Sequence, residues 1–190
     1  MHPFTRLTGL AASLAEDNVD TDVIYPARFL TITAREGLGD YAFADRAFRP
    51  GGAPVLVAGA NFGCGSSREQ AVWALLGCGV RCIIAASFGE IFAGNCIRNG
   101  VLPVTLDAAQ VAVLHRAADA GATFTIDLHA CTLQAGDTPV IGFAIPEPQR
   151  QALLNGWDET SAILARDGAL IDAFEQRQRG EQPWLYPPAG

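Results

Sequence analysis

The sequence predicts an α/β fold, and three observations carry that prediction. Two continuous apolar runs, Val55 to Ala60 and Arg81 to Ala86, flank a helical pattern that begins after a glycine-rich loop. A third run, Val101 to Leu106, follows a second helical pattern, so strand and helix alternate as in right-handed parallel βαβ units. From Thr123 onward the pattern changes to short runs separated by turn residues, which reads as hairpins. With 190 residues, 49% of them hydrophobic, the chain has enough apolar material for one sizeable core, and a single domain over 1–190 is expected.

Taken in order, Phe4 to Leu14 reads as a first strand and Glu16-Asp17-Asn18 as a turn. Asp20-Thr21-Asp22 follows; it lacks the glycine and distal glutamate of a calcium loop, and turn chemistry is the commoner use of such a cluster. Thr31 to Pro50 is polar and aromatic with little regular pattern, and is expected to be a partly helical surface loop of the kind that closes over a site, or else a plain connector. Ser87-Phe88-Gly89-Glu90 has the form of a capping box for a helix that Asn99-Gly100 ends. Asp107-Ala108-Ala109-Gln110 opens an alanine-rich helix reaching about Ala120. Strands are expected over Thr123 to Leu128, Cys131 to Gln134 and Pro139 to Ile145. A helical extension over about 147–180 should contain three helices: Pro148 to Leu154 closed by Asn155-Gly156, one capped by Asp158 and ending at Arg166, and one from Ala169 to Arg179. The proline-rich tail, 183–190, is read as an extended arm on a neighbour or a frayed end.

The junction between the first apolar run and its helix carries the most chemistry. Gly63 and Gly65 flank Cys64 and let a ligand approach the backbone, while Ser66, Ser67 and Arg68 place two hydroxyls and a guanidinium near a helix N-terminus. Arg68 can grip a carboxylate with parallel hydrogen bonds, and a serine beside it can act on a proton. The same letters spell two overlapping capping boxes, Ser66-x-x-Glu69 and Ser67-x-x-Gln70, so a purely structural role fits equally well locally.

Composition narrows the function class. The net charge is −7, which leaves no broad cationic surface for nucleic acid or an anionic membrane, and no run is long enough to span a bilayer. All thirteen basic residues are arginines, which removes Schiff-base lysine chemistry and the P-loop lysine. The five cysteines, Cys64, Cys78, Cys82, Cys96 and Cys131, include no CxxC pair, so a disulfide framework, a zinc ribbon and an iron–sulfur cluster held by this chain are all poor fits, and no metal ligand is assigned. Reduced thiols and a cytoplasmic location are expected. The histidines, His2, His115 and His129, are scattered and organise no site.

Four ordered motifs point further. Asp20-Thr21-Asp22-x-Ile24-x-Pro26-Ala27-Arg28-Phe29-Leu30, Asn61 to Glu69, Ile83-Ile84-Ala85-x-Ser87-Phe88-Gly89-Glu90-Ile91-Phe92 and Asn99-Gly100-x-Leu102-Pro103-Val104 together closely resemble the small subunit family of 3-isopropylmalate dehydratase, in the aconitase superfamily. The likeness extends to Asn155-Gly156-Trp157-Asp158 and Ile171 onward. It implies a swivelling β/β/α domain like the C-terminal domain of aconitase, with C-terminal helices. It also implies a hydro-lyase that isomerises 2- and 3-isopropylmalate through 2-isopropylmaleate in leucine biosynthesis. The resemblance further implies a large-subunit partner holding a [4Fe-4S] cluster, a small dicarboxylate substrate, and no cofactor bound by this chain.

Residue by residue, the resemblance places Ser66 on the serine that acts as base and Asp22 on an aspartate that orients or transfers a proton. Ser67, Arg68, Arg35, Arg28 and Thr21 fall among substrate-binding positions. Three departures stand out: Gln70 where the family usually has histidine, Val72 where proline is usual, and Tyr25 where an aliphatic residue is common and a larger ring would re-shape the pocket. A related subunit for another hydroxy-diacid (methylmalate, dimethylmalate or homoaconitate) and a non-catalytic carboxylate-binding subunit are the alternative readings. An isolated small subunit is also expected to self-associate through a surface meant for its partner.

Overall fold

A computed structural model describes residues 1–186. Its centre is a seven-stranded sheet in the order β4-β3-β2-β1-β5-β6-β7. The strands are β1 (Arg6–Leu14), β2 (Val55–Ala58), β3 (Cys82–Ala85), β4 (Leu102–Thr105), β5 (Thr123–Asp127), β6 (Thr132–Ala135) and β7 (Ile141–Gly142). The longest, β1, joins two kinds of sheet. Its second half, Ala11 to Leu14, pairs parallel with β2, and its first half, Arg6 to Leu10, pairs antiparallel with β5. β2, β3 and β4 continue the parallel side, and β6 and β7 continue the antiparallel side.

The apolar runs are continuous because both faces of the parallel strands are covered. Successive side chains point to opposite faces. Val55, Val57, Cys82, Ile84, Leu102 and Val104 enter one core with Phe124, Ile126 and Leu114, the last from α4 (Ala108–Asp119). Leu56, Ala58, Ile83 and Ala85 enter the other, with Ala71, Val72 and Leu75 of α2 (Glu69–Gly77) and Phe92 and Cys96 of α3 (Glu90–Asn99). Burial pushes the thiol pKa values of Cys82 and Cys96 well up, so both stay protonated and act as small apolar groups.

Several local expectations are met. The Asp20 side chain bonds the backbone as turn chemistry requires, Oδ1 accepting from the Val23 N–H at 2.8 Å, although the segment it opens is a short helix, α1 (Thr21–Ile24), rather than the loop expected. The Asp107 N–H donates to Gln110 Oε1 at the start of α4. α3 ends on Gly100 and α5 (Glu147–Asn155) on Gly156. Asp158 caps α6, accepting from the Ser161 N–H at 2.7 Å.

Others are corrected. The two helices expected after Asp158 are one, α6 (Glu159–Glu181), because Gly168 keeps helical backbone rather than ending a turn. The stretch Thr31 to Pro50 is not wholly a surface loop. Leu38, Ala42 and Phe43 are fully buried, and the Phe43 N–H donates to the Ile24 carbonyl, which pins this part into the second core. Residues 31–37 are mostly exposed. In the tail, Pro183–Leu185 forms a 3₁₀ turn and the Tyr186 hydroxyl donates to Gln178 of α6 at 2.6 Å, so this part folds back on its own chain. The remainder of the predicted tail, 187–190, lies outside the described residues.

Candidate active site

The glycine loop 61–65 leaves β2 and is held from both sides. The Gly63 N–H donates to the Val19 carbonyl at 2.7 Å, and the Thr21 N–H donates to the Cys64 carbonyl at 3.0 Å. On the other flank, the Phe62 N–H donates to the Ser87 carbonyl and the Gly89 N–H to the Phe62 carbonyl. Asp20 and Cys64, and Phe62 and Phe88, thereby make single parallel bridges.

Two glycines allow this closeness. Gly63 has φ +71°, and a Cβ there would lie 2.1 Å from Cγ of Phe92. A Cβ on Gly89 would lie 2.5 Å from the Gly63 carbonyl oxygen. The ring of Phe92 meets Phe62 edge to face at 5.5 Å, completing a fixed junction between the loop and the start of α3.

Neither overlapping capping box forms. α2 starts at Glu69 with Arg68 as its cap residue, and no side chain caps it. The Ser66 carbonyl instead accepts from the Arg68 N–H at 2.9 Å and from the Thr21 hydroxyl at 3.2 Å. Glu69, free of the box, accepts from Asn99 Nδ2 at 2.6 Å, and Asn99 Oδ1 accepts from Trp73 Nε1 at 3.0 Å. A tertiary partner outcompetes the local one. The same holds at Ser87, whose hydroxyl accepts from the Asn61 N–H at 2.8 Å while Gly89 takes the cap position of α3.

The serine hydroxyls are therefore outside the helix and available. Ser66 Oγ lies 3.1 Å from Thr21 Oγ1, and Thr21 is buried. Arg68 Nη1 donates to Asp22 Oδ1 in an ion pair that joins the loop to α1. Thr21, Asp22, Ser66 and Arg68 thus converge from two segments of the chain. A recess of about 200 Å³ opens at Ser66, lined also by Gly63, Cys64, Gly65, Gly89, Glu90, Ile91 and Phe92; Thr21, Asp22 and Arg68 do not line it.

Other candidates lie elsewhere. Arg28 makes two 2.6 Å hydrogen bonds to the carboxylate of Asp45 and lies over the ring of Phe29, so its fork is already engaged. The pairing holds the Asp45 carboxyl below the usual range and raises Arg28. Arg35 stacks over Trp73 at 4.2 Å and lines a larger groove of about 930 Å³ between α2, α3, α5 and the start of α6. That groove shares no lining residue with the recess at Ser66. Tyr25 does not re-shape the recess: it is fully buried, its hydroxyl donating to the Phe29 carbonyl at 2.9 Å, and burial followed by Tyr41 raises its pKa. Val72 is a core residue. Asn99 and Ile91 were not singled out by sequence reasoning as site residues; Asn99 read only as a helix-ending residue, and Ile91 as one apolar letter in a motif.

Among the described residues, no group of three or more His, Cys, Asp or Glu side chains is placed to hold a metal ion. The five cysteines are all free, and Cys82 and Cys96 are buried.

The parallel–antiparallel sheet joined through β1, with a serine–arginine loop after β2, defines an α/β domain of the aconitase C-terminal class. The model of that class, the aconitase C-terminal domain, matches residues 41–109. The model of the C-terminal domain of the 3-isopropylmalate dehydratase small subunit matches residues 166–188. A 3-isopropylmalate dehydratase small subunit from Rhodospirillum centenum is 48% identical over 97% of this chain and 98% of its own length. One from Rhodospirillum rubrum is 42% identical over 97% of both. A crystal structure titled 3-isopropylmalate dehydratase from Methanocaldococcus jannaschii superposes with a TM-score of 0.68 at 29% identity, covering 90% of this chain and 99% of that one. The chain belongs to the 3-isopropylmalate dehydratase small subunit family.

Proposed function

We propose that this chain is the small subunit of a 3-isopropylmalate dehydratase, a hydro-lyase of leucine biosynthesis that works with a separate large subunit in the cytoplasm. The observation that carries the reading is the pairing of Thr21 with Ser66 and of Asp22 with Arg68 across two segments of the chain, with Ser66 lining a recess. The reaction removes water across two carbons of a hydroxy-diacid and adds it back in the opposite sense. Its demanding step is the loss of a carbon-bound proton next to a carboxylate, which adds negative charge to an anionic substrate.

Ser66 is the base in this reading, and Thr21 is the group that makes a basic serine tolerable. The Thr21 hydroxyl has one proton and two acceptors in reach, the Ser66 carbonyl and Ser66 Oγ. In its base form Oγ is an alkoxide, its own proton released to solvent, and the Thr21 proton is then better placed on it, since a charged acceptor forms the stronger hydrogen bond; on taking the carbon-bound proton Oγ returns to a neutral hydroxyl. Arg68 adds positive charge two residues away. Asp22 takes one of its donors and orients the guanidinium, leaving the others for a substrate carboxylate. Ser67, exposed beside Ser66, is a further donor to the substrate. Arg28 and Arg35 reach this site only by leaving Asp45 and Trp73.

The large subunit holds a [4Fe-4S] cluster in this reading, and a Lewis-acidic iron there assists departure of the hydroxyl. The test is turnover by this chain with an anoxically prepared large subunit. Wild type should prefer 2-isopropylmalate to shorter hydroxy-diacids. Ser66→Ala should lower turnover by about 10²- to 10⁴-fold, the range for a lost general base, with unchanged affinity for the large subunit. Wild-type turnover in Ser66→Ala would remove the base assignment, and preference for a shorter diacid would remove the substrate assignment.

A further inference from the structure

Ile91 stands apart in the recess beside Ser66. It is the second residue of α3 and 54% exposed, and its side chain faces the recess rather than the core. Its companions in the lining are the half-buried Cys64, Gly63, Gly65 and Gly89 without side chains, the core ring of Phe92, the Ser66 hydroxyl and the Glu90 carboxylate. Among the described residues, Ile91 is the one exposed large hydrophobic side chain lining this recess.

Its position relative to Ser66 is fixed by the junction already described. The Phe92 ring fills the space where a Gly63 side chain would stand, and Gly89 backs onto the Gly63 carbonyl. The helix carrying Ile91 and the loop leading to Ser66 therefore meet through the Gly89–Gly63 backbone contact and through the buried Phe92 ring.

We infer that Ile91 is a specificity-determining residue, contacting the branched alkyl group of the hydroxy-diacid while Ser66 and Arg68 engage its reacting and anionic parts. This rests on the function proposed above. A diacid needs polar partners at its carboxylates and an apolar wall at its alkyl branch, and the recess supplies a hydroxyl and a branched hydrocarbon. An interface role fits less well. The surface next to Ile91 is polar, with exposed Ser87 and Glu90, whereas the centre of an interface is a continuous apolar patch.

The experiment compares wild type, Ile91→Ala and Ile91→Val, each reconstituted with saturating large subunit, on 2-isopropylmalate and on the otherwise identical diacid bearing a methyl group. A parallel titration of large subunit measures assembly. Ile91→Ala should lower the ratio of kcat/KM for isopropyl over methyl substrate by about tenfold, the scale of a lost apolar contact of one or two carbons. Ile91→Val should fall between, with KM carrying most of the change and the titration midpoint unmoved. A parallel fall on both substrates, or a shifted midpoint with an unchanged ratio, would overturn the inference. Wild type inactive on both diacids would instead bring down the functional reading on which it rests.

Discussion

Replacing Gly63 by alanine tests whether the close contact between the loop and α3 organises the site. The new Cβ would lie 2.1, 2.4 and 2.6 Å from three carbons of the Phe92 ring, all far inside van der Waals contact. The backbone adds a second cost, since φ is +71°. A left-handed conformation costs a non-glycine residue roughly 1–2 kcal/mol. Overpacking a filled core site costs about 1–3 kcal/mol more. The expected loss is the sum, about 2–5 kcal/mol, against a typical total stability of about 5–15 kcal/mol. Urea unfolding followed by circular dichroism should show a midpoint lower by about 1–2.5 M for a slope near 2 kcal/mol/M. The two costs separate in a double-mutant cycle. With Phe92→Ala the ring is gone, so Gly63→Ala should then cost only the conformational part of about 1–2 kcal/mol. Because Ser66 lies three residues on, turnover of the folded fraction should fall by about 10²-fold, as expected for a shift of about 1 Å in a reacting group. A wild-type urea midpoint, or equal costs in the two backgrounds, would refute the reasoning.

Further outcomes follow from the same geometry. Arg68→Lys keeps the charge but loses the planar fork that holds Asp22 and, in the proposed function, the substrate carboxylate, and should lower kcat/KM by about 10- to 100-fold in steady-state assays. His115 lies on α4 with its Nδ1 3.0 Å from the Ser13 hydroxyl, and burial lowers its pKa against the smaller upward pulls of Asp119 and the Ala58 carbonyl. The unfolded chain then binds the proton more readily than the native one, so stability present above the ordinary value of 6.5 should decline as pH falls from there toward the lowered native value. His115→Gln should flatten that part of the pH–stability curve in thermal melts at pH 5 to 7. Gly168 sits in open space inside the continuous α6. Gly168→Ala should raise helix stability by about 0.5–1 kcal/mol, seen as a higher melting temperature or greater far-ultraviolet helicity; a loss would indicate a break at that point.

Much of the fold was readable because its signals are local or periodic. Val55 to Ala58 and Cys82 to Ala85 are apolar at every position because both faces of the parallel strands are covered, and that requirement is visible letter by letter. Gly100, Gly156 and Asp158 act at helix ends where a single residue's backbone or side-chain preference decides the matter. Gly63-Cys64-Gly65-Ser66-Ser67-Arg68 likewise showed in sequence that a loop able to approach a ligand stands before a helix.

What the tertiary structure decided was which of several available partners each polar group takes. Ser66-x-x-Glu69 and Ser87-x-x-Glu90 both offer capping boxes, yet Glu69 is taken by Asn99 and Ser87 by Asn61. A local box contributes about 1 kcal/mol, so one well-placed distant donor is enough to displace it. The pairing of Asp22 with Arg68, the burial of Tyr25 away from the recess and the double pairing of β1 have the same origin. So does the exposure of Ile91 beside Ser66. Each depends on segments brought together only by the crossover connections of the sheet. The sequence by itself determined the elements and the chemistry on offer; packing determined which hydroxyl was left free to use it.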